Sequence, residues 1–201
     1  MQEVQETHEV QEVQETKLHN SILNYEGNFV SLETVQYTQD GIDKEWECVK
    51  SMDSVHIAVF DEDAEIFYLA KQVRIPVLVN DSSNDGIVYE LCAGCVDKDK
   101  SIEEIAQEEV QEELGFDVPL DKLMYVKSLK SSVGTSGSTS HLFSCKVNSS
   151  MRVNAGGGTE HENIEVHELH FEDFDQFMWN SDVHTDAITM MSLCQFRYEK
   201  L

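Results

Sequence analysis

One predicted helix restricts the fold of this chain more than any other segment, and it lies in SIEEIAQEEVQEELGF, residues 101–116. Ser101 and Glu104 form a capping box, in which each side chain satisfies a backbone N–H group at the start of a helix. Gly115 is the residue type that most easily adopts the left-handed conformation that ends a helix. We therefore predict a helix that begins after Ser101 and ends at Gly115.

The apolar side of this helix also carries carboxylates. At about 100° per residue, one stripe of the helix surface contains both apolar residues and glutamates. Glu109 and Glu113, one turn apart, lie within the stripe, and Glu112 lies at its edge. The apolar members of the stripe are Ile102, Ile105 and Ala106. The remaining acidic residues of the helix fall on the flank or the far side, as in an ordinary solvated helix.

Two carboxylates that point inward need a positive partner. Like charges at this spacing repel each other, and an unpaired buried carboxylate costs several kcal/mol or shifts its pKa. A hard divalent cation removes both problems, because Mg²⁺ and Mn²⁺ take oxygen ligands and accept substrate phosphates as further ligands. The helix therefore predicts a site for Mg²⁺, with Mn²⁺ as the alternative.

The composition is that of one globular domain with appendages, and its charge excludes two classes of partner. The chain has 201 residues, 40% of them hydrophobic, and a formal net charge of −25. Such acidity disfavours binding to nucleic acid or to an anionic membrane surface, which basic patches mediate. An anionic ligand would need a cation between it and the protein, which again favours a divalent metal.

No membrane segment, signal peptide or disulfide framework is predicted. No apolar run approaches the roughly 18 residues that span a bilayer, and the N-terminus lacks the basic and apolar regions of a signal peptide. The five cysteines have an odd count and wide spacing. Cys92 and Cys95 form a C-x-x-C, but a zinc site would need a second such pair. We expect a cytoplasmic protein, with the nucleus as the alternative.

The chain divides into three predicted regions. Residues 1–18, with repeated EVQ triplets and no sustained heptad, are interpreted as a disordered acidic leader, or alternatively a partner-binding tail. Residues 19–53 contain strands around the Asp-Gly turn of TQDG, which predicts a hairpin. Residues 54–201 contain further strands, including GIVYELCAG as one strand, and two closing helices. A mixed sheet with few helices predicts an α+β sandwich.

The segment from Gly94 to Phe116 resembles the Nudix box, the pattern G-x5-E-x7-R-E-U-x-E-E-x-G-U in which U is aliphatic or aromatic. The matching positions are Gly94, Glu109, Val110, Glu112, Glu113, Gly115 and Phe116. Lys100 stands where the pattern has its first glutamate, and Glu108 stands where it has arginine. Because those two residues are usually oppositely charged partners, we predict a Lys100–Glu108 pair with exchanged signs.

The resemblance covers the chain from Asn28 to the C-terminus. KQVRIPV, ELCAG, SSVGTSGSTS and GGGTEHENIEVHEL resemble the branch of Nudix enzymes that hydrolyses ADP-ribose and UDP-sugars, and KEWECVKSMDSVHIAVF favours the UDP-sugar subgroup. This resemblance implies a Nudix-type α/β/α sandwich with a mixed sheet and an N-terminal antiparallel β region. It also implies a homodimer, with the strands between Asn28 and Val49 reaching to the partner.

The resemblance further implies roles for individual residues. The implied metal ligands are Glu109, Glu112, Glu113 and the backbone carbonyl of Ala93, with Glu112 also in the catalytic set. The general base is implied on a late loop, where TEHENI gives Glu162 as the first candidate and Glu160 as the second; an exposed acidic loop is the alternative. Arg74 is a candidate clamp for the diphosphate, or alternatively a partner of a surface acid. Ser132, Gly134 and Ser136 are candidates for binding sugar or phosphate, or alternatively part of a flexible loop.

These residues predict a Mg²⁺-dependent enzyme that hydrolyses a nucleotide sugar, converting UDP-glucose and water to UMP and glucose 1-phosphate. One alternative is hydrolysis of ADP-ribose by the same residues. The other is a Nudix fold that binds ligand with little or no catalysis, which the exchanged residues at 100 and 108 motivate.

Overall fold

The computed structural model describes residues 15–83, 85–159 and 162–199, which divide into two compact units. The N-terminal unit contains residues 15–51 and the loop 132–137, and the second unit contains residues 52–131 and 138–199. The division lies two residues before the predicted boundary at 53/54, and the loop joins the first unit rather than the second. Residues 1–14 of the predicted leader lie outside the described residues.

The N-terminal unit is a three-stranded antiparallel sheet with the order β1-β2-β3. Its strands are β1 (Thr16–Glu26), β2 (Val30–Gln39) and β3 (Ile42–Ser51). Asp40 and Gly41 form the predicted turn between β2 and β3, and both have the positive φ that such a turn requires. Strand β1 begins inside the predicted leader and is not predicted from the sequence, because all of its side chains are exposed and no alternation marks it.

The second unit is built on a seven-stranded mixed sheet. Its strands are β4 (Ser54–Asp61), β5 (Ile66–Val73), β6 (Ile87–Glu90), β7 (Cys92–Cys95), β8 (Met124–Lys130), β9 (Thr139–Val147) and β10 (Glu165–His170). The central order is β10-β5-β4-β9-β8, with β6 added to β5 and β7 added to β4. Strands β4 and β9 pair in parallel, and the other pairs described in this sheet are antiparallel.

Helices cover both faces of this sheet. They are α1 (Ile75–Asn80), α2 (Ile102–Leu114), α3 (Phe174–Met178) and α4 (Ala187–Glu199), with 3-10 turns at Leu120–Lys122, Ser149–Met151 and Phe171–Asp173. Val55 and Ile57 of β4 pack in the core cluster that contains the apolar residues of α2, and Ala58 packs in the cluster that contains Leu193 of α4. The predicted α+β sandwich is therefore confirmed. None of the helices in the described residues is both long and apolar enough to cross a membrane.

One segment differs from its predicted structure, and one short helix is not predicted from the sequence. GIVYELCAG forms two strands rather than one, because the chain changes its pairing partner from β5 to β4 at Leu91, whose backbone N–H donates to Thr189 Oγ1 at 3.0 Å. The segment after β5, for which no helix is predicted, forms the six-residue helix α1 with Pro76 in its first turn. Proline suits that position, since the N–H group it lacks would have no partner within the helix.

Helix α2 begins and ends as predicted, and its glutamates face inward as predicted. The Ser101 hydroxyl accepts the Glu104 N–H, the Glu104 carboxylate accepts the Ser101 N–H, and Gly115 adopts the left-handed conformation with φ 80°. Glu109 is 9% exposed and Glu113 is 3% exposed. Glu112 is half-buried, which agrees with a position at the edge of the stripe.

The glycine run at residues 156–158 binds the C-terminal end of α2. The N–H groups of Gly157 and Gly158 donate to the carbonyls of Glu113 and Glu112 at 2.8 and 3.0 Å, two groups that have no partner within the helix. Gly156 has φ 72°, and a Cβ atom there would lie 2.3 Å from the Glu113 carbonyl oxygen. Glycine is required because the two backbones approach this closely.

We predict that Gly156→Ala lowers the free energy of unfolding by at least about 3 kcal/mol. About 1–2 kcal/mol comes from the left-handed conformation, and overpacking against Glu113 supplies the rest. Urea denaturation followed by circular dichroism measures the loss. Gly41→Ala is the matched control, because Gly41 has φ 76° but nothing within 4 Å of its Cβ position. Equal losses in the two variants would show that the close approach adds nothing.

Candidate functional site

The candidate site lies where α2 packs against β7. A Cβ atom on Gly94 would lie 2.3 Å from the carboxylate of Glu109, so this carboxylate rests directly on the backbone of the strand. The Glu113 Oε2 atom accepts the backbone N–H of Ala93 at 3.0 Å, and the buried Cys92 thiol also lowers the pKa of this carboxylate. Strand β7 thus positions both inward glutamates through its backbone.

Both glutamates are held in an environment that opposes their negative charge. Burial raises the pKa of Glu109 to about 7 and the pKa of Glu113 to about 8. The charge of Glu162 raises both pKa values further, while Lys98 lowers that of Glu109 and the Ala93 N–H lowers that of Glu113. Glu162 therefore lies within electrostatic range of both inward glutamates, although 49 residues or more separate them in sequence.

The first candidate for the general base is held beside the glycine run. Glu162 Oε2 accepts the Thr159 N–H at 2.8 Å and the Thr159 hydroxyl at 3.1 Å. The carboxylate is exposed, and it lies against Gly158, where a Cβ atom would be 2.8 Å from Glu162 Oε2. Because Gly158 also binds the end of α2, the loop brings Glu162 to the helix that carries the inward glutamates. Glu160, the second candidate, lies outside the described residues.

The predicted pair with exchanged signs is present. The Lys100 ammonium donates to Glu108 Oε1. Lys98 donates to the other oxygen of Glu108 at 3.2 Å, and its Nζ atom lies 3.9 Å from Glu109 Oε1. Lys98 is not predicted from the sequence, because the Nudix pattern leaves its position unspecified. The sequence signal that could have identified it is the pair of lysines, Lys98 and Lys100, just before the helix cap Ser101.

Arg74 directly follows β5 and contacts the neighbouring strand β6. Its Nε–H donates to Glu90 Oε2 at 2.7 Å. Arg74 therefore has an acidic partner, which was the predicted alternative to a role in binding the diphosphate. Burial raises the pKa of the Cys95 thiol, and the positive charge of Arg74 acts against that rise while Glu109 and Glu162 add to it. Cys95, which the sequence did not mark as functional, thus lies within electrostatic range of Arg74, Glu109 and Glu162. The clamp itself stays a prediction.

The three loop candidates belong to the N-terminal unit. The indole N–H of Trp46 donates to the Gly134 carbonyl at 2.9 Å, and the hydroxyls of Ser51 and Ser136 lie 2.8 Å apart. The Ser132 carbonyl accepts the N–H groups of the turn that follows it. These contacts attach the loop to β3, and the predicted role of Ser132, Gly134 and Ser136 in substrate binding stays a prediction.

The side chains at the site fit a hard divalent cation by chemistry. Glu109, Glu112 and Glu113 supply carboxylate oxygens, the donors that Mg²⁺ prefers, and two of these carboxylates are buried. Within residues 15–83, 85–159 and 162–199, no three His, Cys, Asp or Glu side chains converge into a formed metal site. The two cysteines of the C-x-x-C are therefore not part of such a site among the described residues, and Cys92 is buried whereas Cys95 is exposed. The carbonyl of Ala93 stays a predicted ligand.

Comparison with known proteins gives the same assignment at the level of family. The NUDIX domain profile matches residues 50–189. A uridine diphosphate glucose pyrophosphatase of Bos taurus is 32% identical over 177 residues, covering 75% of this chain and 80% of that protein. A GDP-mannose pyrophosphatase of Pectobacterium atrosepticum is 35% identical over 141 residues, covering 70% of each.

A crystal structure of an ADP compounds hydrolase has a similar fold, with a TM-score of 0.74 over 92% of this chain and 94% of that one. The sequence identity to it is 16%, so this similarity concerns the fold alone. The profile covers more than half of the chain, and it includes the segment from Gly94 to Phe116 that supplies the inward glutamates. The chain belongs to the Nudix family.

Proposed function

We propose that this Nudix hydrolase cleaves the diphosphate of a UDP-sugar with Mg²⁺, converting UDP-glucose and water to UMP and glucose 1-phosphate. The observation that carries the proposal is the buried pair Glu109 and Glu113, one helical turn apart, with a third carboxylate beside them. The relatives support it, since those compared are named as pyrophosphatases of nucleotide sugars. The choice of UDP-glucose rests on the relative that covers most of this chain and on the resemblance to the UDP-sugar subgroup.

Three carboxylates of α2 would hold the cation. Glu109 and Glu113 would be the principal ligands and Glu112 a third, and the cation would offset the repulsion between the buried carboxylates. The bound cation supplies neutralisation of the diphosphate charge and activation of a water. The Ala93 N–H and the Gly94 backbone keep the two inward carboxylates in place, so the ligands are oriented before the substrate enters.

Two further residues act on substrate and water. Arg74 donates through Nε to Glu90, and its guanidinium carries further N–H groups that suit phosphate oxygens. Glu162 accepts a proton from the attacking water at a carboxylate oxygen, while the water oxygen forms a bond to one phosphorus of the diphosphate. The bond between that phosphorus and the bridging oxygen breaks, and the two phosphates leave as UMP and glucose 1-phosphate.

The substrate is tested by measuring nucleotide release chromatographically from UDP-glucose, GDP-mannose and ADP-ribose. With Mg²⁺ present, we expect the highest kcat/KM of the three substrates for the release of UMP from UDP-glucose. We expect EDTA to abolish this release. Faster release of GMP or AMP would keep the chemistry and replace the substrate. Glu113→Gln is the matched control, because it removes a ligand without changing shape and is expected to lose nearly all turnover while the protein stays folded. Undiminished turnover in that variant would overturn the metal assignment.

The base is tested with Glu162→Gln. We expect kcat to fall by about 100-fold or more, since a general base contributes about that factor, while the affinity for Mg²⁺ measured by calorimetry stays nearly unchanged. Glu160→Gln is the comparison on the same loop. A larger loss of kcat in Glu160→Gln would assign the base to that residue instead, and a loss of Mg²⁺ affinity in Glu162→Gln would make Glu162 a ligand.

We also propose that the enzyme is a homodimer joined through its N-terminal unit. None of the described side chains in residues 15–51 and 132–137 is buried, and apolar side chains such as Leu18 and Phe29 are 71% and 77% exposed. A three-stranded sheet without a buried face is not stable by itself in water. A second copy of the chain would cover this face.

Light scattering coupled to size exclusion tests the dimer. We expect the wild type to have about twice the 22.9 kDa mass of one chain. We expect Leu18→Lys to shift the measured mass toward that of a single chain. Val153→Lys is the control, because it adds the same charge at an apolar side chain of the second unit that is 55% exposed. A wild type that stays monomeric at micromolar concentration would contradict the proposal.

A further inference from the structure

Lys98, which precedes α2, contacts one carboxylate on the inward face of the helix and one on the face that points to solvent. The Lys98 Nζ atom lies 3.2 Å from Glu108 Oε2 and 3.9 Å from Glu109 Oε1. The side chain of Lys98 is 38% exposed, that of Glu108 is 30% exposed and that of Glu109 is 12% exposed. The ammonium therefore lies between a solvated carboxylate and a nearly buried one.

Among the described residues, Lys98 is the cationic side chain that forms an ion pair with an inward carboxylate. Of the ion pairs that the structure describes in residues 15–83, 85–159 and 162–199, the pair with Lys98 is the one that reaches Glu109, Glu112 or Glu113. Lys100 contacts Glu108 but not Glu109. The two lysines of this loop thus share one partner, and they differ in their contact with the candidate metal ligand.

Glu108 gives Lys98 a second place to bind. The Nudix pattern has arginine at this position, and an arginine there would repel the ammonium of Lys98. With glutamate, Lys98 has two carboxylates within reach of a flexible four-carbon stem. The shorter of the two contacts is the one to Glu108, which Lys100 also binds.

We propose that Lys98 competes with the divalent cation for Glu109, and that Glu108 is the partner that keeps Lys98 paired when the cation binds. The inference rests on the proposed function, because it takes Glu109 as a metal ligand. A cation on Glu109 repels an ammonium that approaches the same oxygen. Because Lys98 already donates to Glu108, it can move away from Glu109 and relieve that repulsion without being left unpaired. Lys98 is thus a positioning residue that sets how readily the site takes its metal.

The test is calorimetric titration of the full chain with Mg²⁺ after treatment with EDTA and dialysis. Lys98→Met removes the competitor and keeps most of the stem, so we expect the Kd for Mg²⁺ to fall about two- to fivefold, the range of a partly exposed ion pair. Glu108→Gln removes the alternative partner, so we expect the Kd to rise by a similar factor. In the Lys98→Met background, Glu108→Gln should have no further effect, because it acts through Lys98.

Lys100→Met is the matched control for the loss of one positive charge near the site. It removes a lysine that contacts Glu108 but not Glu109, and we expect the Kd for Mg²⁺ to change less than about twofold because of screening. A higher Kd in Lys98→Met, or additive effects in the double variant, would overturn the inference. Wild-type protein that binds no Mg²⁺ would overturn the proposed function itself, whereas wild-type binding with Lys98→Met unchanged would overturn the inference alone.

Discussion

The burial of two carboxylates one turn apart on α2 is the constraint on which the candidate site depends. Glu109 and Glu113 repel each other, and burial opposes the charge of each, which their raised pKa values record. A fold selected for stability alone would place apolar side chains there. Packing of the core therefore does not explain the position of these two glutamates, and the neighbouring elements are arranged around them.

Glycines make that arrangement possible at two points. Gly94 has no side chain, so the Glu109 carboxylate can rest on β7, and the glycine run at 156–158 binds the carbonyls at the end of α2. The second contact also brings Glu162 toward the inward glutamates, because Glu162 lies against Gly158. The same close approach between backbones thus caps the helix and gathers the acidic residues of the site.

On the face of α2 that points to solvent, the carboxylate of Glu108 is paired with lysines. Lys98 and Lys100 neutralise Glu108 on the solvated side. The Nudix pattern has glutamate at the position of Lys100 and arginine at the position of Glu108, so the two charges are exchanged in this chain. The exchange of signs preserves an ion pair beside the site, so Lys100 and Glu108 are not by themselves a reason to expect lost catalysis. In a chain with a net charge of −25, Lys98, Lys100 and Arg74 each pair with a carboxylate.

The sequence by itself determined helix α2, its caps and its inward glutamates, because each depends on spacing within one helix, and the resemblance to the Nudix pattern predicted the Lys100–Glu108 pair. Tertiary structure decided the rest. Strand β1 and helix α1 lack a buried periodic face, the change of partner at Leu91 depends on Thr189 of α4, and the contact of Lys98 with Glu109 depends on the path of a loop. Local spacing fixes which way a helical side chain points, whereas contacts between distant segments exist only once the chain has folded.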